Sequence, residues 1–465
     1  MNPTRNHLGS LGVPEPPSTP FLGHLPQMRR APLEFLLESS RLYGDIFRFR
    51  VGRTNYYVFV NASDVKFILQ EGHSYFRKSP RYTRTMFQVL GNGLVSNEGG
   101  SHLRQRRIVQ PVFRRDRVEN LAGIMVRVAE EAATRWHRFA EQGHAVDVRD
   151  EMNELARRIV LQTLFGENLD PQVSSRIGSS IEELSWQLNQ DILAPWRLPR
   201  WIPTPRNQRF KRSLRSVDDC LTQLVGSRRE GNSTAVDLMS ILMRARDDET
   251  GEPMTDALLR DETLTLFIAG HETTANALAW IWYLLSENPI AASRLREELQ
   301  SELGGRSPTL ESLPQLQYTR MVIEEALRLY PPAYMFDRYA KEEVRIGEVC
   351  LPPGSVVYVS PYLTHRKREY WDRPDEFYPE HFTPDRASSR PKYAYFPFGG
   401  GPRQCIGNYY AVIEMQLVIA TLAQQFSLSM LVRQRPSPEV CITLRPPAGM
   451  MMRVHSCPTA VADCH

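Results

Sequence analysis

The chain has 465 residues, with 57 Lys and Arg set against 53 Asp and Glu for a formal charge of +4. With 42% hydrophobic and 24% charged residues and no low-complexity block, it reads as an ordinary globular protein able to bury a large core. The balanced charge gives no electrostatic case for a nucleic-acid partner. Cys220, Cys350, Cys405, Cys441, Cys457 and Cys464 show no CxxC or regular spacing, which argues against a disulfide framework and for a reducing compartment.

Residues 1–17 read as an extended lead, since the opening to about Gln27 is rich in Pro and Gly. Residues 1–10 lack the apolar core that a signal peptide or membrane anchor needs. Alternating apolar residues at 46–51 and 56–60 predict a hairpin turning around Gly52 to Asn55. Helical periodicity dominates from about Val118 to Leu303, with charged faces over 126–141 and 293–303. It breaks at residues 195–205, whose prolines no regular element tolerates.

Residues 264–285 are apolar and long enough for a bilayer, but His271, Glu272, Thr273, Thr274 and Asn276 sit at their centre. Charge there is expensive in lipid, so a buried helix of a soluble protein is the better reading. Strand signals return over 344–360, turning at Pro352 to Gly354, and a coil rich in Pro and aromatic residues follows to Pro402. No repeat or long hydrophilic linker divides the chain. One domain is expected over 18–455, mainly α with a smaller β-rich lobe (α+β), with 456–465 as a tail.

The chemistry concentrates near the C-terminus, at Phe398-Gly-Gly-Gly-Pro-Arg-Gln-Cys-Ile-Gly407, which opens into a helix predicted over 408–422. A cysteine at a helix N-terminus feels the positive end of the dipole and unpaired N–H groups, which favour its thiolate. Gly400, Gly401 and Gly407 let the backbone approach a flat partner, and Arg403 adds a positive charge. A buried structural cysteine is the plain alternative for Cys405. The whole pattern F-x-x-G-x-R-x-C-x-G resembles the haem-thiolate loop of the cytochrome P450 family, in which the thiolate pushes electron density onto the iron and favours O–O cleavage.

The resemblance extends to three further stretches, in the family's order and from roughly Pro17 to Val454. Ala269-Gly-His-Glu-Thr-Thr274 resembles the family's oxygen-binding stretch, with Gly270 removing bulk where dioxygen must fit and Glu272 and Thr273 forming a water-fed proton relay. A threonine bonded back to its own helix carbonyl is the plain reading of Thr273, and both can hold together.

Glu324-Glu-Ala-Leu-Arg-Leu-Tyr-Pro-Pro332 carries Glu325 and Arg328 three apart on one helix face. They match the family's E-x-x-R pair, which locks the segment before the cysteine loop. His381 stands where many relatives have arginine, implying a weaker or pH-sensitive third contact. In Glu98-Gly-Gly-Ser-His-Leu-Arg-Gln-Arg-Arg107, His102 and Arg106 lie four apart and resemble the pair that grips a haem propionate. Arg338 and Arg403 are expected to reach propionates too, while Arg104 and Arg107 read as solvated.

The same resemblance places Tyr82, Met86, Phe87 and Leu94, and Ala333, Tyr334 and Met335 with Phe336, around the substrate cavity. Taken one at a time, Tyr82, Met86, Phe87 and Leu94 each read as ordinary core sooner than as substrate contacts. Trp196 to Pro205 resembles the lid over the substrate channel, and its composition would also suit a membrane surface.

The resemblance implies haem b (iron protoporphyrin IX) and insertion of one oxygen atom of O2 into a lipophilic small molecule such as a fatty acid, terpenoid or polyketide. With no flavin or ferredoxin domain attached, electrons are expected from NAD(P)H through a separate ferredoxin and its reductase. A bacterial, cytoplasmic enzyme without a membrane anchor is the expectation. A peroxide-using or isomerising haem-thiolate enzyme is the alternative on the same fold, disfavoured by Glu272 and Thr273. A non-catalytic haem carrier comes third.

Overall fold

The computed structural model describes residues 12–167, 169–193, 198–230, 237–432 and 435–457. Most of the expected lead, Trp196 of the expected lid and nearly all of the tail, including Cys464, lie outside the described residues. The strands used below are β1 (Ile46–Val51), β2 (Thr54–Phe59), β3 (Phe76–Arg77), β4 (Ala145–Asp147), β5 (Phe336–Ala340), β6 (Val356–Val359), β7 (Phe426–Met430), β8 (Leu444–Arg445) and β9 (Met451–Ser456). The helices are α1 (Pro80–Leu90), α2 (Gly99–Val109), α3 (Val148–Phe165), α4 (Pro171–Leu193), α5 (Asp256–Glu287), α6 (Gln317–Leu329) and α7 (Asn408–Ala423).

The region expected as one domain comprises two compact units, each gathered from two stretches of chain. The first runs to Pro80 and resumes over Glu324–Cys405. Its sheet has the order β1-β2-β6-β5-β3, with β2 and β6 parallel and the other pairs antiparallel. The β1–β2 turn is tighter than expected, because Thr54 already pairs with Val51 and Gly52 takes φ +58. Period-two alternation gives both faces apolar contacts. Phe47, Phe49, Val58 and Val60 are buried in one cluster, and Tyr57, Phe59, Val357 and Val359 in another.

The second unit covers Arg81–Ile323 and the chain from Ile406 onward. It is helical, with a small sheet of order β4-β9-β7. Its longest element is α5, which starts before the expected apolar stretch because Thr255 caps it, its hydroxyl accepting the Leu258 N–H at 3.2 Å. Between its exposed ends the helix is buried all round except near its middle, as expected for a helix central to a core, and α3 packs along it. Among the described residues no helix is long and apolar enough to cross a membrane.

Candidate active site

In the first unit the cysteine loop is shaped by contacts with distant segments. The Cys405 N–H donates to the Phe398 carbonyl at 3.0 Å, after a tight turn over Gly401–Arg403. Gly401 has φ +63, and a Cβ there would overlap the Leu69 carbonyl oxygen. Gly400 is extended and packs on the Tyr393 ring, and Gly407 at φ −89 is the N-cap of α7. The close approach that these glycines permit is therefore partly to the chain itself, and only Gly401 of the three expected positions has the left-handed conformation.

Free cysteines are among the most buried residue types. Cys220 is buried and Cys350, Cys441 and Cys457 are half-buried, whereas Cys405 is exposed. Arg403 and Phe398 are half-buried. Arg338, on β5, is buried and donates from Nη1 to the Asp337 carbonyl at 2.7 Å.

Glu325 and Arg328 have no exposed surface. Arg328 holds both Glu325 carboxylate oxygens at 2.7 Å, a bidentate pair. Its other donors reach the carbonyls of His365, Pro374 and Glu376 at 2.7–2.8 Å, so all five guanidinium N–H groups are spent. His381 lies between two carboxylates, with Nδ1 at 3.2 Å from Glu325 and Nε2 at 2.8 Å from Asp372. Its reach to Glu325 is longer than that of Arg328.

His365 was not singled out from the sequence, yet it ties this cluster to the loop. Its Nδ1 faces the Arg328 carbonyl at 3.3 Å, and its Nε2 accepts the Phe396 N–H at 2.9 Å. Complete burial, then the charge of Arg328, pushes it well below the usual histidine range and keeps it neutral.

In the second unit the polar centre of α5 is where that helix opens. Ala269 is exposed, and Ile268, Gly270, Glu272 and Thr273 are half-buried. A Cβ on Gly270 would meet Val160 of α3 at 3.6 Å, an ordinary contact. Ala269 is the more exposed of the two positions.

The Thr273 hydroxyl donates to the Ala269 carbonyl at 2.7 Å. Glu272 turns elsewhere: Arg445 on β8 holds it through Nε at 2.8 Å and Nη2 at 2.7 Å, and the Thr443 hydroxyl donates to it. Burial raises the Glu272 carboxyl, but the Arg445 and Thr443 hydrogen bonds outweigh it and hold the group below its usual range. Burial pushes the neighbouring His271 down to about 4, and its Nε2 faces the Asn153 carbonyl at 3.1 Å. A polar cavity of about 330 Å³ lies beside Glu272, lined by Asp150, Asn153, Glu182, His271 and Arg445 among others.

On α2, His102 is buried and Arg106 half-buried, with Arg106 Nε donating to Gln110 Oε1 at 3.1 Å. Arg104 and Arg107, expected to be solvated, are ion-paired: Arg104 with Asp247 at 2.7 Å and Glu252 at 2.6 Å, and Arg107 with Glu249 at 2.8 Å. They clasp an acidic turn that periodicity could not place beside them.

The pocket candidates divide. Phe87 is 54% exposed and Tyr82 and Ala333 are half-buried, whereas Met86, Leu94 and Tyr334 are buried. Met335 packs into the core cluster of Phe47 and Phe49, and Phe336 into that of Tyr57 and Phe59. Those two positions therefore serve the sheet's packing.

These features meet a wider likeness. A sequence model of the cytochrome P450 family matches residues 13–453. The chain belongs to the cytochrome P450 family of haem-iron monooxygenases. It is similar to cyclooctatin synthase of Streptomyces melanosporofaciens, at 34% identity over 93% of each chain. It is also similar to pentalenene oxygenase of Streptomyces avermitilis, at 32% over 94% of this chain and 96% of the relative. Cyclooctat-9-en-7-ol 5-monooxygenase of S. melanosporofaciens is 33% identical over 89% and 88%.

The residues present fit a haem. Among the free cysteines of the described residues Cys405 alone is exposed, and a thiolate there would suit a haem iron. Ala269 also leaves a gap in the side-chain cover of an otherwise buried helix. Arg338 and Arg403 in the first unit, and His102 and Arg106 in the second, are the side chains that the resemblance assigns to propionates.

Proposed function

We propose that this enzyme inserts one oxygen atom from O2 into an unactivated bond of a lipophilic small molecule, by hydroxylation or epoxidation. Electrons come from NAD(P)H through a separate ferredoxin and its reductase, and cytoplasmic placement belongs to the same reading. Of fatty acid, terpenoid and polyketide substrates, relatives named for pentalenene and cyclooctatin weigh toward a terpenoid.

The observation that carries the reading is Cys405, an exposed thiol on a loop tied down at Gly401, in a unit where the Glu325–Arg328 pair fixes the preceding segment at Pro374, Glu376 and Tyr378. Bound haem b would supply the oxidising chemistry. Cys405 would be its axial ligand, with Phe398, Gly401 and Gly407 shaping the loop and His102, Arg106, Arg338 and Arg403 holding the propionates. Thr273 would deliver protons through its hydroxyl. Glu272, committed to Arg445 and Thr443, would feed that hydroxyl only after release or through water. Tyr82, Met86, Phe87, Leu94, Ala333 and Tyr334 remain the cavity-wall candidates.

A spin-state titration against a panel of lipophilic compounds should find ligands that shift the Soret band. Turnover of such a ligand should then require ferredoxin, its reductase and NAD(P)H. Cys405→Ser should abolish the reduced-CO band for which the family is named. Turnover with peroxide alone, unaffected by Thr273→Ala, would overturn the reading.

A further inference from the structure

Two adjacent carboxylates on α5, Asp261 and Glu262, take no part in the site described above. Both are buried, Glu262 with no exposed surface, and each accepts a backbone N–H from one short segment, residues 91–97 between α1 and α2. Asp261 Oδ2 accepts the Asn92 N–H at 2.8 Å, and Glu262 Oε2 accepts the Leu94 N–H at 3.2 Å. Gln105 Nε2 donates to Glu262 Oε1 at 2.9 Å and to the Asn92 carbonyl at 2.5 Å, while Gln105 Oε1 accepts from Asn97. The Ser96 hydroxyl lies 2.6 Å from the Gly91 carbonyl and 3.0 Å from that of Gly93.

The segment also lies too close to α5 for side chains at two positions. A Cβ on Gly93 would overlap the Thr265 hydroxyl and stand 2.8 Å from the Asp261 carbonyl oxygen. A Cβ on Gly91, at φ +49, would overlap the Asp261 carboxylate.

Apolar packing could hold a loop near a helix without burying two acids. A carboxyl group does something else: its oxygens accept N–H groups along defined directions and so specify the path of the backbone. Burial lifts the Glu262 carboxyl to about 8, with the Leu94 N–H opposing and Asp261 adding to the rise. Asp261 is itself paired with Arg260 at 2.8 Å. A fold that keeps an acid in such surroundings forgoes stability, as proteins do where function needs a fixed geometry.

We infer that Asp261 and Glu262 are positioning residues for substrate choice: by fixing the Asn92 and Leu94 amides they set how the 91–97 turn presents Leu94, and so which lipophilic skeletons the enzyme accepts. This rests on the proposed place of Leu94 at the cavity edge. The carboxylates themselves touch no substrate.

The test uses the holoenzyme as wild type, Glu262→Leu, Glu262→Gln and Gly93→Ala, the last of which moves the turn while leaving both carboxylates in place. The readouts are amide exchange over residues 91–97, spin-shift dissociation constants for a fatty acid, a monocyclic and a polycyclic terpenoid hydrocarbon, and the reduced-CO spectrum. Glu262→Leu and Gly93→Ala should each speed exchange at Leu94 about tenfold, the effect of losing one hydrogen bond. Both should change the ratios of the dissociation constants about tenfold, the scale on which apolar pockets discriminate shape. Glu262→Gln, which keeps an acceptor for the Leu94 N–H, should return both towards wild type. Unchanged ratios in the face of faster exchange would overturn the inference, as would wild-type exchange in Glu262→Leu. If Glu262→Leu does not fold, Asp261→Leu, read at the Asn92 amide, takes its place beside Gly93→Ala. Absence of the reduced-CO band in the wild type would instead overturn the haem-thiolate reading.

Discussion

Replacing Glu262 with Gln should stabilise the protein, and by an amount that grows with pH. The native carboxyl titrates at about 8 and the ordinary value is 4.5. Well below pH 4.5 both folded and unfolded chains carry the proton, and burial has no ionisation penalty. Between those values the unfolded chain releases its proton while the native state retains it, so stability falls as pH rises; above about 8 both are ionised and the loss levels off. At 1.36 kcal/mol per pH unit, the penalty is about 1 kcal/mol at pH 5, about 3 at pH 7 and about 5 at pH 9.

Glutamine is nearly isosteric and can still accept the Leu94 N–H, but its amide nitrogen would face that of Gln105, a mismatch worth about 1 kcal/mol. The net gain should therefore be close to nil at pH 5 and about 4 kcal/mol at pH 9. Urea denaturation followed by far-ultraviolet circular dichroism, on both proteins at pH 5, 7 and 9, measures it directly. Other titrating groups cancel in the difference between the two proteins. A difference that stays constant from pH 5 to pH 9 would refute the reasoning, because it would mean that the buried site does not oppose the charge.

Gly401→Ala should destabilise by about 2 kcal/mol or more, from the left-handed φ and the overlap with the Leu69 carbonyl, and should weaken the reduced-CO band along with the melting temperature. Arg328→Leu leaves buried Glu325 with only His381 and the Tyr378 N–H as partners, costing about 3–5 kcal/mol, and the haem-to-protein ratio of the purified material should fall with it. Arg445→Leu should cost a similar amount at pH 7 by stranding Glu272. That deficit should shrink as pH falls below the usual carboxylate range, where a protonated Glu272 no longer needs its partner, and urea curves at pH 7 and pH 4 check the sign.

What could be read from the chain beforehand was what is local in it. The β1–β2 hairpin, the helix that follows Cys405 and the facing of Glu325 on Arg328 each follow from spacings of a few residues, where backbone geometry fixes which side chains are neighbours. The partners of those residues were not legible. Arg445 and Thr443 are ordinary residue types in a distant strand region, and no periodicity joins them to Glu272. Leu69 acts on Gly401 through its carbonyl, a group every residue carries. Met335 looked like a cavity residue because of what precedes it, but tertiary packing claims it for the sheet.

One signal was present and easily passed over. Arg260, Asp261 and Glu262 interrupt the start of α5, and taken as a polar flank they hide where that helix begins. Charges near the end of an apolar run usually mark solvent. Here the capping threonine lies further upstream, at Thr255, so the acids fall inside a helix that is buried around them. An acid within a capped, buried helix must have its hydrogen bonds supplied by something nearby. Gly91 and Gly93 mark the segment that can come close enough to supply them. Pairing out-of-pattern acids with out-of-pattern glycines would have predicted this contact, and it is the same contact that gives α5 a hold on the turn carrying Leu94.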